Sequence, residues 1–552
     1  MAERNEGLSD GSDIEIEYDD QRDDFVGEID PEINGGEVNF LEENEEDADF
    51  CGYQNNWVYE NFYPRLGNPF KKPAGATVVH PAEASAGQYL ELFWTNELLD
   101  KLMQETNNYA HQEQEKNSSS SKGRPWRPVE MNDIKVFIAL CFSMGILRLP
   151  DKSDYWRQSK WIFSTNFNKV MSRDRFFQIW RYLHIQNNEV KSETPDKLWK
   201  IRWLLEFLNT KFTELYVPYG NATVDESMIK FKGKLSFRQY SSKRSVKRGV
   251  KVYALAESET GYLSRFQIYT GKEIDQEKGL AHTVVMDLCH HYFGSNLCVY
   301  MDNFYTSPEL LKNLHSQGIM ACGAVRVNQK GLPKDLLPSK VNLQKHEFKV
   351  AQKDSLTYCV WQDTKPITVI SNFHDPIHRG QVSRRASESG VVEVPLMVAD
   401  YQRNMKGVDL CDQMVGYYLL NHRSKKWWRC IFFHLLMASA HNAYIVAKDT
   451  HPEIAREKWP GFQDFIEDIV EDLIGDTRAR REPPKVDCGG RATAHDINIV
   501  KLFPKNKVCR ECSLSGPQGQ RKGVTKFGCR QCSIPVHLEC SSKHFTRMMN
   551  VK

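Results

Sequence analysis

Leu297-Cys298-Val299-Tyr300-Met301-Asp302 is a run of five apolar residues closed by an acid. It reads as a strand, with Asp302 emerging at its tip. Upstream, Thr223-Val224, Val250 to Ala256 and Leu263 to Tyr269 also read as strands, the last two joined by the turn residues Glu259-Thr260-Gly261. A helix is predicted over Gly279 to Tyr292, a second over Pro308 to Ser316, and a further strand near Met320 to Val327. Farther out, from about 85 to 215, the apolar spacing is helical: Thr95 can cap a helix whose Leu98, Leu99, Leu102 and Met103 share a face. Ile134, Phe137, Ile138, Cys141 and Phe142 make a second such face, and Phe176, Phe177, Trp180, Leu183 and His184 a third. Between 331 and 399 the pattern is β-like at Phe348 to Val350, Leu356 to Trp361 and Ile367 to Ile370, and helix resumes at Asn404.

Strand, hairpin, strand, helix, strand, helix, strand is the order of an RNase H-like α/β core, so a multi-domain α/β protein is expected. The net charge of +1 conceals an asymmetry: residues 1–50 hold 20 acidic side chains against Arg4 and Arg22, and the rest holds 71 basic and 52 acidic. The body, at +19, is suited to polyanions, whereas the tail, at −18, is too polar to bury a core and reads as disordered. No charged segment followed by an apolar one opens the chain, so no secretion signal is expected. Cys430 to Ala447 is the best membrane-span candidate, but His434, Ser439, His441 and Asn442 interrupt it; a buried helix is expected, and no membrane.

Acids stand where strands and helices end. Asp225 follows Thr223-Val224, and Asp409 and Asp412 lie on one face near the start of a predicted helix, in Gly407-Val408-Asp409-Leu410-Cys411-Asp412-Gln413. Mg²⁺ takes carboxylate oxygens, and two ions about 3.5–4 Å apart serve phosphoryl transfer. Aspartates also cap and turn chains without doing chemistry. Lys230, Lys232, Lys234, Arg238, Lys243, Arg244, Lys247, Arg248 and Lys251 crowd the segment after Asp225 and suit phosphate contacts, although such runs are commonly just solvated faces. Trp427 and Trp428 read either as core or as wedges beside an unpaired base.

Of the fourteen cysteines, nine are scattered over 51–488 and five fall between 509 and 540. Cys509-x2-Cys512, Cys529-x2-Cys532 and His537-x2-Cys540, followed by His544, have zinc-ligand spacing. These seven candidates suggest two interleaved Zn²⁺ sites, one ligand being supplied from elsewhere, with His495 a candidate. A ubiquitin-ligase RING is the competing reading of this segment.

Thr223-Val224-Asp225-Glu226, Asp302-Asn303-Phe304-Tyr305-Thr306-Ser307 and Gly407 to Met414 resemble the three catalytic blocks of piggyBac transposases. Ala139 to Pro150, Met171 to Phe176, Cys322 to Arg326 and Lys426-Trp427-Trp428 also match that family, in the right order, from about residue 87 to the C-terminus. The resemblance implies that Asp225, Asp302 and Asp409 bind Mg²⁺ or Mn²⁺ and are catalytic, with Asp412 in support. It further implies a homodimer in the nucleus acting on double-stranded DNA: hairpin-forming excision at transposon ends and insertion at TTAA targets. The finger would then be a cross-brace that binds transposon ends, with His537 where many relatives have cysteine. The expected map is an acidic tail (1–80), a helical dimerisation and DNA-binding domain (81–215), a first part of the RNase H-like catalytic core (216–330), a β-rich insertion (331–399), a second core part with helices (400–475), a linker (476–500) and a cysteine-rich zinc-binding domain (501–552). The alternative is a domesticated DNA-binding protein that no longer transposes.

Overall fold

The computed structural model describes residues 57–64, 69–116, 125–157, 166–189, 196–242, 244, 246–271, 279–383, 390–420, 424–475, 499–503, 505–515, 523–529 and 534–544. The expectations for residues 1–56 and for most of the linker 476–500, His495 included, lie outside these.

The helical part comprises α1 (Ala86–Glu91), α2 (Asn96–Lys116), α3 (Met131–Ile146), α4 (Phe167–Val170), α5 (Arg173–Tyr182) and α6 (Arg202–Leu215). Short polar residues start these helices by satisfying free amides. Ser85 and Gln88 form a reciprocal capping box on α1, Thr95 Oγ1 accepts from Leu98 N at 3.4 Å on α2, and Ser172 Oγ accepts from Arg175 N at 3.3 Å on α5. Leu98, Leu99 and Leu102 of α2 and Phe137 and Phe142 of α3 are buried in one core.

Ahead of the helices, β1 (Gly75–Ala76) pairs with β2 (Tyr216–Val217). After them come β3 (Asn221–Lys230), β4 (Gln239–Tyr240), β5 (Arg248–Glu257), β6 (Leu263–Ile268), α7 (Leu280–Cys289), β7 (Cys298–Met301), α8 (Pro308–Ser316) and β8 (Met320–Ala324). β3, β7 and β8 are parallel neighbours linked through crossover helices, while β5 pairs antiparallel with β3 and with β6. Side-chain alternation on β3 sorts its two faces. Ala222 and Val224 enter the core with α7 and α8, whereas Ile229 enters the other core, so Asp225 and Ser227 look toward the latter side.

The β-rich stretch does not form a separate insertion as expected. β9 (Phe348–Lys353), β10 (Leu356–Gln362) and β11 (Pro366–Ser371) continue the same sheet, β11 pairing with β8, to give nine strands among the described residues. Among the described strands of this stretch, only β12 (Arg379–Ser383) and β13 (Val391–Pro395) pair apart from it. The acidic tail is likewise shorter than expected: Trp57 is buried in the core, and Val58 exchanges both backbone hydrogen bonds with Gln352 on the outer strand β9, at 2.8 and 2.9 Å. Burying one indole and pairing one strand edge ties down a segment that composition alone marks as free.

α9 (Leu396–Asn404), α10 (Gly407–Tyr418), α11 (Trp427–Thr450), α12 (Pro452–Lys458) and α13 (Phe462–Ile474) follow. α11 is the one described helix long and apolar enough to cross a membrane, and its apolar window is wholly buried in the protein. Its interrupting His434, Ser439, His441 and Asn442 are enclosed too; Asn442 exchanges two 2.9 Å hydrogen bonds with Leu263. At the C-terminus β14 (Ile499–Lys501) pairs with β17 (Phe527–Cys529), and β15 (Lys507–Val508) with β16 (Val524–Thr525), around α14 (Arg510–Ser515).

Candidate functional site

Two neighbouring parallel strands and one helix bring the acids together. Val224 on β3 is in register with Met301 on β7, so Asp225 and Asp302 stand beside each other where that pairing ends. Asp302 is fixed by its own turn: Oδ1 accepts from Phe304 N at 2.8 Å and its carbonyl from Thr306 Oγ1 at 2.8 Å. α10 brings Asp409 and Asp412 over β3. Thr223 Oγ1 donates to Asn404 O at 2.6 Å and accepts from Gly407 N at 3.2 Å, docking the helix start on the sheet. The approach needs glycine: a Cβ at Gly407 would lie 2.6 Å from Glu257 O, and one at Gly261 (φ +74°) 2.9 Å from Leu410 Cβ.

The carboxylates perturb one another. Burial pushes Asp225 up to about 7; Arg244 and the Glu226 amide oppose this, and Asp302 and Asp409 add to it. Asp412 is pushed up to about 6 by burial, offset by a 2.6 Å hydrogen bond from Ser227 Oγ and reinforced by Asp409. Asp302 is raised by burial, against the Phe304 amide and with the help of Glu226. Asp409 is exposed at the mouth of the group. Clustered acids, three of them raised by burial and by a neighbouring carboxylate, fit a hard cation with oxygen ligands, so these residues suit Mg²⁺ or Mn²⁺.

Sequence reasoning missed Ser227, although its position two residues past Asp225 puts it on the same strand face. It also missed that Arg244 turns inward: Nη2 lies 3.3 Å from Asp225 Oδ1 and 3.5 Å from Glu226 Oε1. Of the other cations of that segment, Lys230, Lys232, Lys234, Arg238, Lys247 and Arg248 are exposed, with Phe231 and Phe237 buried between them; Lys251 is half-buried and paired with Glu226, and Lys243 lies outside the described residues. Trp428, read as core or as a wedge against DNA, packs as core: it is 2% exposed, edge-on to Phe432 and His184 with ring centroids at 6.4 and 5.4 Å. α11 is enclosed from its first turn, so an indole there faces core.

A second centre lies at the C-terminus. Cys509 Sγ, Cys512 Sγ, His537 Nδ1 or Nε2 and Cys540 Sγ lie within 4.8 Å of one another, pairing the first CxxC with the HxxC across the second CxxC. Cys512 Sγ is 3.3 Å from His537 Nδ1 and 3.6 Å from Cys540 Sγ. His537 Nε2 lies 3.1 Å from Val524 O; since a carbonyl only accepts, Nε2 carries the proton and Nδ1 turns its lone pair to the sulfurs. Burial works to raise the Cys509 thiol, but amide hydrogen bonds from Cys512, His537 and Glu511 prevail and bring it down to about 7. Three cysteines and a histidine in this array suit a tetrahedral Zn²⁺. Cys529 is buried outside the quartet, His544 Nδ1 is 3.4 Å from Glu511 Oε1, and Cys532 lies outside the described residues.

The family described as Transposase IS4 matches residues 85–444. Human PiggyBac transposable element-derived protein 3 is 24% identical over 479 residues, covering 83% of this chain and 76% of that protein. Human PiggyBac transposable element-derived protein 5 is 23% identical over 422 residues, covering 74% and 78%. Among solved structures, the cryo-EM structure of the piggyBac transposase synaptic complex with hairpin DNA has the same fold, with a TM-score of 0.64 at 21% identity over 75% of this chain and 86% of that one.

Proposed function

The chain belongs to the piggyBac-type transposases, and from that premise we propose that it binds transposon ends, cuts them by metal-dependent phosphoryl transfer and joins them to TTAA targets. The observation that carries this is the convergence of Asp225, Asp302, Asp409 and Asp412 from two strand ends and one helix, with the pKa values of Asp225, Asp302 and Asp412 raised by burial and by neighbouring carboxylates. The strand order β6-β5-β3-β7-β8, with β3, β7 and β8 parallel, supports reading the core as RNase H-like.

In this reading Asp225, Asp302 and Asp409 hold Mg²⁺ or Mn²⁺, and Asp412, oriented by Ser227, supports Asp409 on the same helix face. Bound there, the ions would supply Lewis-acid polarisation of the attacking and departing oxygens. The exposed Lys230, Lys232, Lys234, Arg238, Lys247 and Arg248 contact backbone phosphates beside the acids, fixing register without reading sequence. Cys509, Cys512, His537 and Cys540 hold a structural Zn²⁺, and the folded finger recognises transposon ends. The protein works in the nucleus as a homodimer, its helical part binding DNA and dimerising.

Changing Asp225, Asp302 or Asp409 singly to alanine should abolish Mg²⁺-dependent cleavage of end-bearing duplex while leaving folding and DNA binding intact. A variant that still cuts at near wild-type rate removes that residue from the set. Wild-type protein that binds ends but cuts none of them with Mg²⁺ or Mn²⁺ would favour a domesticated DNA-binding protein, a reading that the transposable element-derived human relatives keep in view.

A further inference from the structure

We propose that Arg244 is a displaceable counter-ion: it sits on Asp225 until a divalent cation takes that carboxylate, and then turns to a DNA phosphate. The inference rests on the metal-dependent reading above and adds a residue that couples metal loading to DNA contact. Among the described cations from Lys230 to Arg248, Arg244 alone is not exposed, its side chain being 29% accessible. One guanidinium nitrogen is shared between Asp225 Oδ1 at 3.3 Å and Glu226 Oε1 at 3.5 Å. A dication taking Asp225 would repel a guanidinium on the same oxygen, so the two compete for one seat.

Glu226 decides where the displaced group goes. Its other oxygen, Oε2, forms a close ion pair with Lys251, whose ammonium lies 4.8 Å from the ring centroid of Phe304, just beyond Asp302. Glu226 is thus anchored at the rim and keeps its hold on Arg244 when Asp225 lets go. The freed guanidinium stays within a side chain's reach of the centre, and its planar fork matches two phosphate oxygens. Charge balance is kept throughout: arginine neutralises the acids before metal arrives, and phosphate neutralises arginine afterwards.

The test uses the full-length chain without turnover. Mn²⁺ binding is titrated by the EPR signal of free Mn²⁺ in the wild type, R244Q and R244K, and duplex affinity is measured against salt in Ca²⁺. Thermal unfolding of each variant checks folding. R244Q should bind Mn²⁺ about three- to tenfold more tightly than wild type, and R244K, which keeps the charge, within about twofold. In R244Q the slope of log affinity against log salt should fall by about one phosphate contact. Equal or weaker Mn²⁺ binding by R244Q, an R244K that behaves like R244Q, or an unchanged salt slope each overturns the inference. Mn²⁺ binding insensitive to D225A is a different failure: it overturns the metal-dependent reading of Asp225, and the inference with it.

Discussion

Substituting Gly407 by alanine tests how finely the seat of α10 sets the acidic centre. The added Cβ would lie 2.6 Å from Glu257 O and 3.0 Å from Thr223 Oγ1. Neither neighbour can retreat: Glu257 is paired with Ala222 across β5 and β3, and Thr223 is bound to Asn404 O. The helix must therefore move, and reaching an ordinary contact of 3.4 Å lifts its start by roughly 0.8 Å. Two energies then oppose. Alanine gains about 0.5–1 kcal/mol over glycine in a helix, and overpacking costs about 1–3 kcal/mol. The net is roughly 0–2 kcal/mol, a small change in a chain of this size. Catalysis reads the displacement itself: Asp409 rides on the shifted turn, and about 1 Å of misplacement costs on the order of a hundredfold in rate. G407A should thus cut transposon ends about 30- to 100-fold more slowly than wild type, with its urea unfolding midpoint nearly unchanged. Cleavage within about threefold of wild type in a folded G407A protein would refute the view that this contact sets the distance between α10 and β3.

Ser227→Ala removes the 2.6 Å hydrogen bond to Asp412, which favours the ionised acid. The Asp412 pKa should rise and the acid limb of the cleavage pH profile move to higher pH, as single-turnover rates from pH 5 to 8 would report. Burial depresses His184 to about 3 and His434 and His441 to about 4. Depressed folded pKa values mean the unfolded chain binds protons first, so this stability is present above the unfolded value near 6.5 and is lost as pH falls toward 4, by roughly 1.4 kcal/mol per pH unit per histidine. Asp225 and Asp412, raised to about 7 and about 6, pull the other way; His441→Asn, lacking one of the three terms, should flatten the acid limb of urea stability measured at pH 7.0 and 5.5. Chelation, or Cys509→Ser, should unfold the C-terminal finger while the catalytic core keeps its melting temperature, because metal binding is most of a small finger's folding energy. Metal content and limited proteolysis would report this, and a finger that stays resistant after zinc removal would count against it.

What was legible in the chain was local. Leu297 to Met301 announces a strand because a short apolar run has few other uses, and Cys298–Met301 is one. Thr95 and Leu98 to Leu102 announce α2 for the same kind of reason. What was not legible depends on partners far away in sequence. β9 to β11 look like a separate β unit until β11 is seen to pair with β8, a contact between Ser371 and Cys322 that no local pattern encodes. Trp428 carries the same aromatic signal as core or as wedge, and only the enclosure of α11 decides between them. Arg244 is indistinguishable from its basic neighbours until the chain folds back and turns it alone toward Asp225. Asp225 itself could be placed at a strand end, but its raised pKa comes first from burial in the assembled fold, to which Asp302 and Asp409, arriving from elsewhere, only add.

The pairing of Val58 with Gln352 also governs how the protein behaves toward copies of itself. β9 ends the strand order on its side, and an outer strand with free amides and carbonyls is a template for joining other chains. Val58 caps part of that row, and the Gln352 side chain adds 2.8 and 2.9 Å hydrogen bonds to the Tyr63 backbone, so a few residues after the acidic stretch act as a guard against edge-to-edge aggregation. A deletion meant to strip only the negative charge must therefore stop before Trp57. Cutting to residue 80 would remove a buried indole and bare the sheet edge together, and the self-association that followed would be mistaken for an effect of charge.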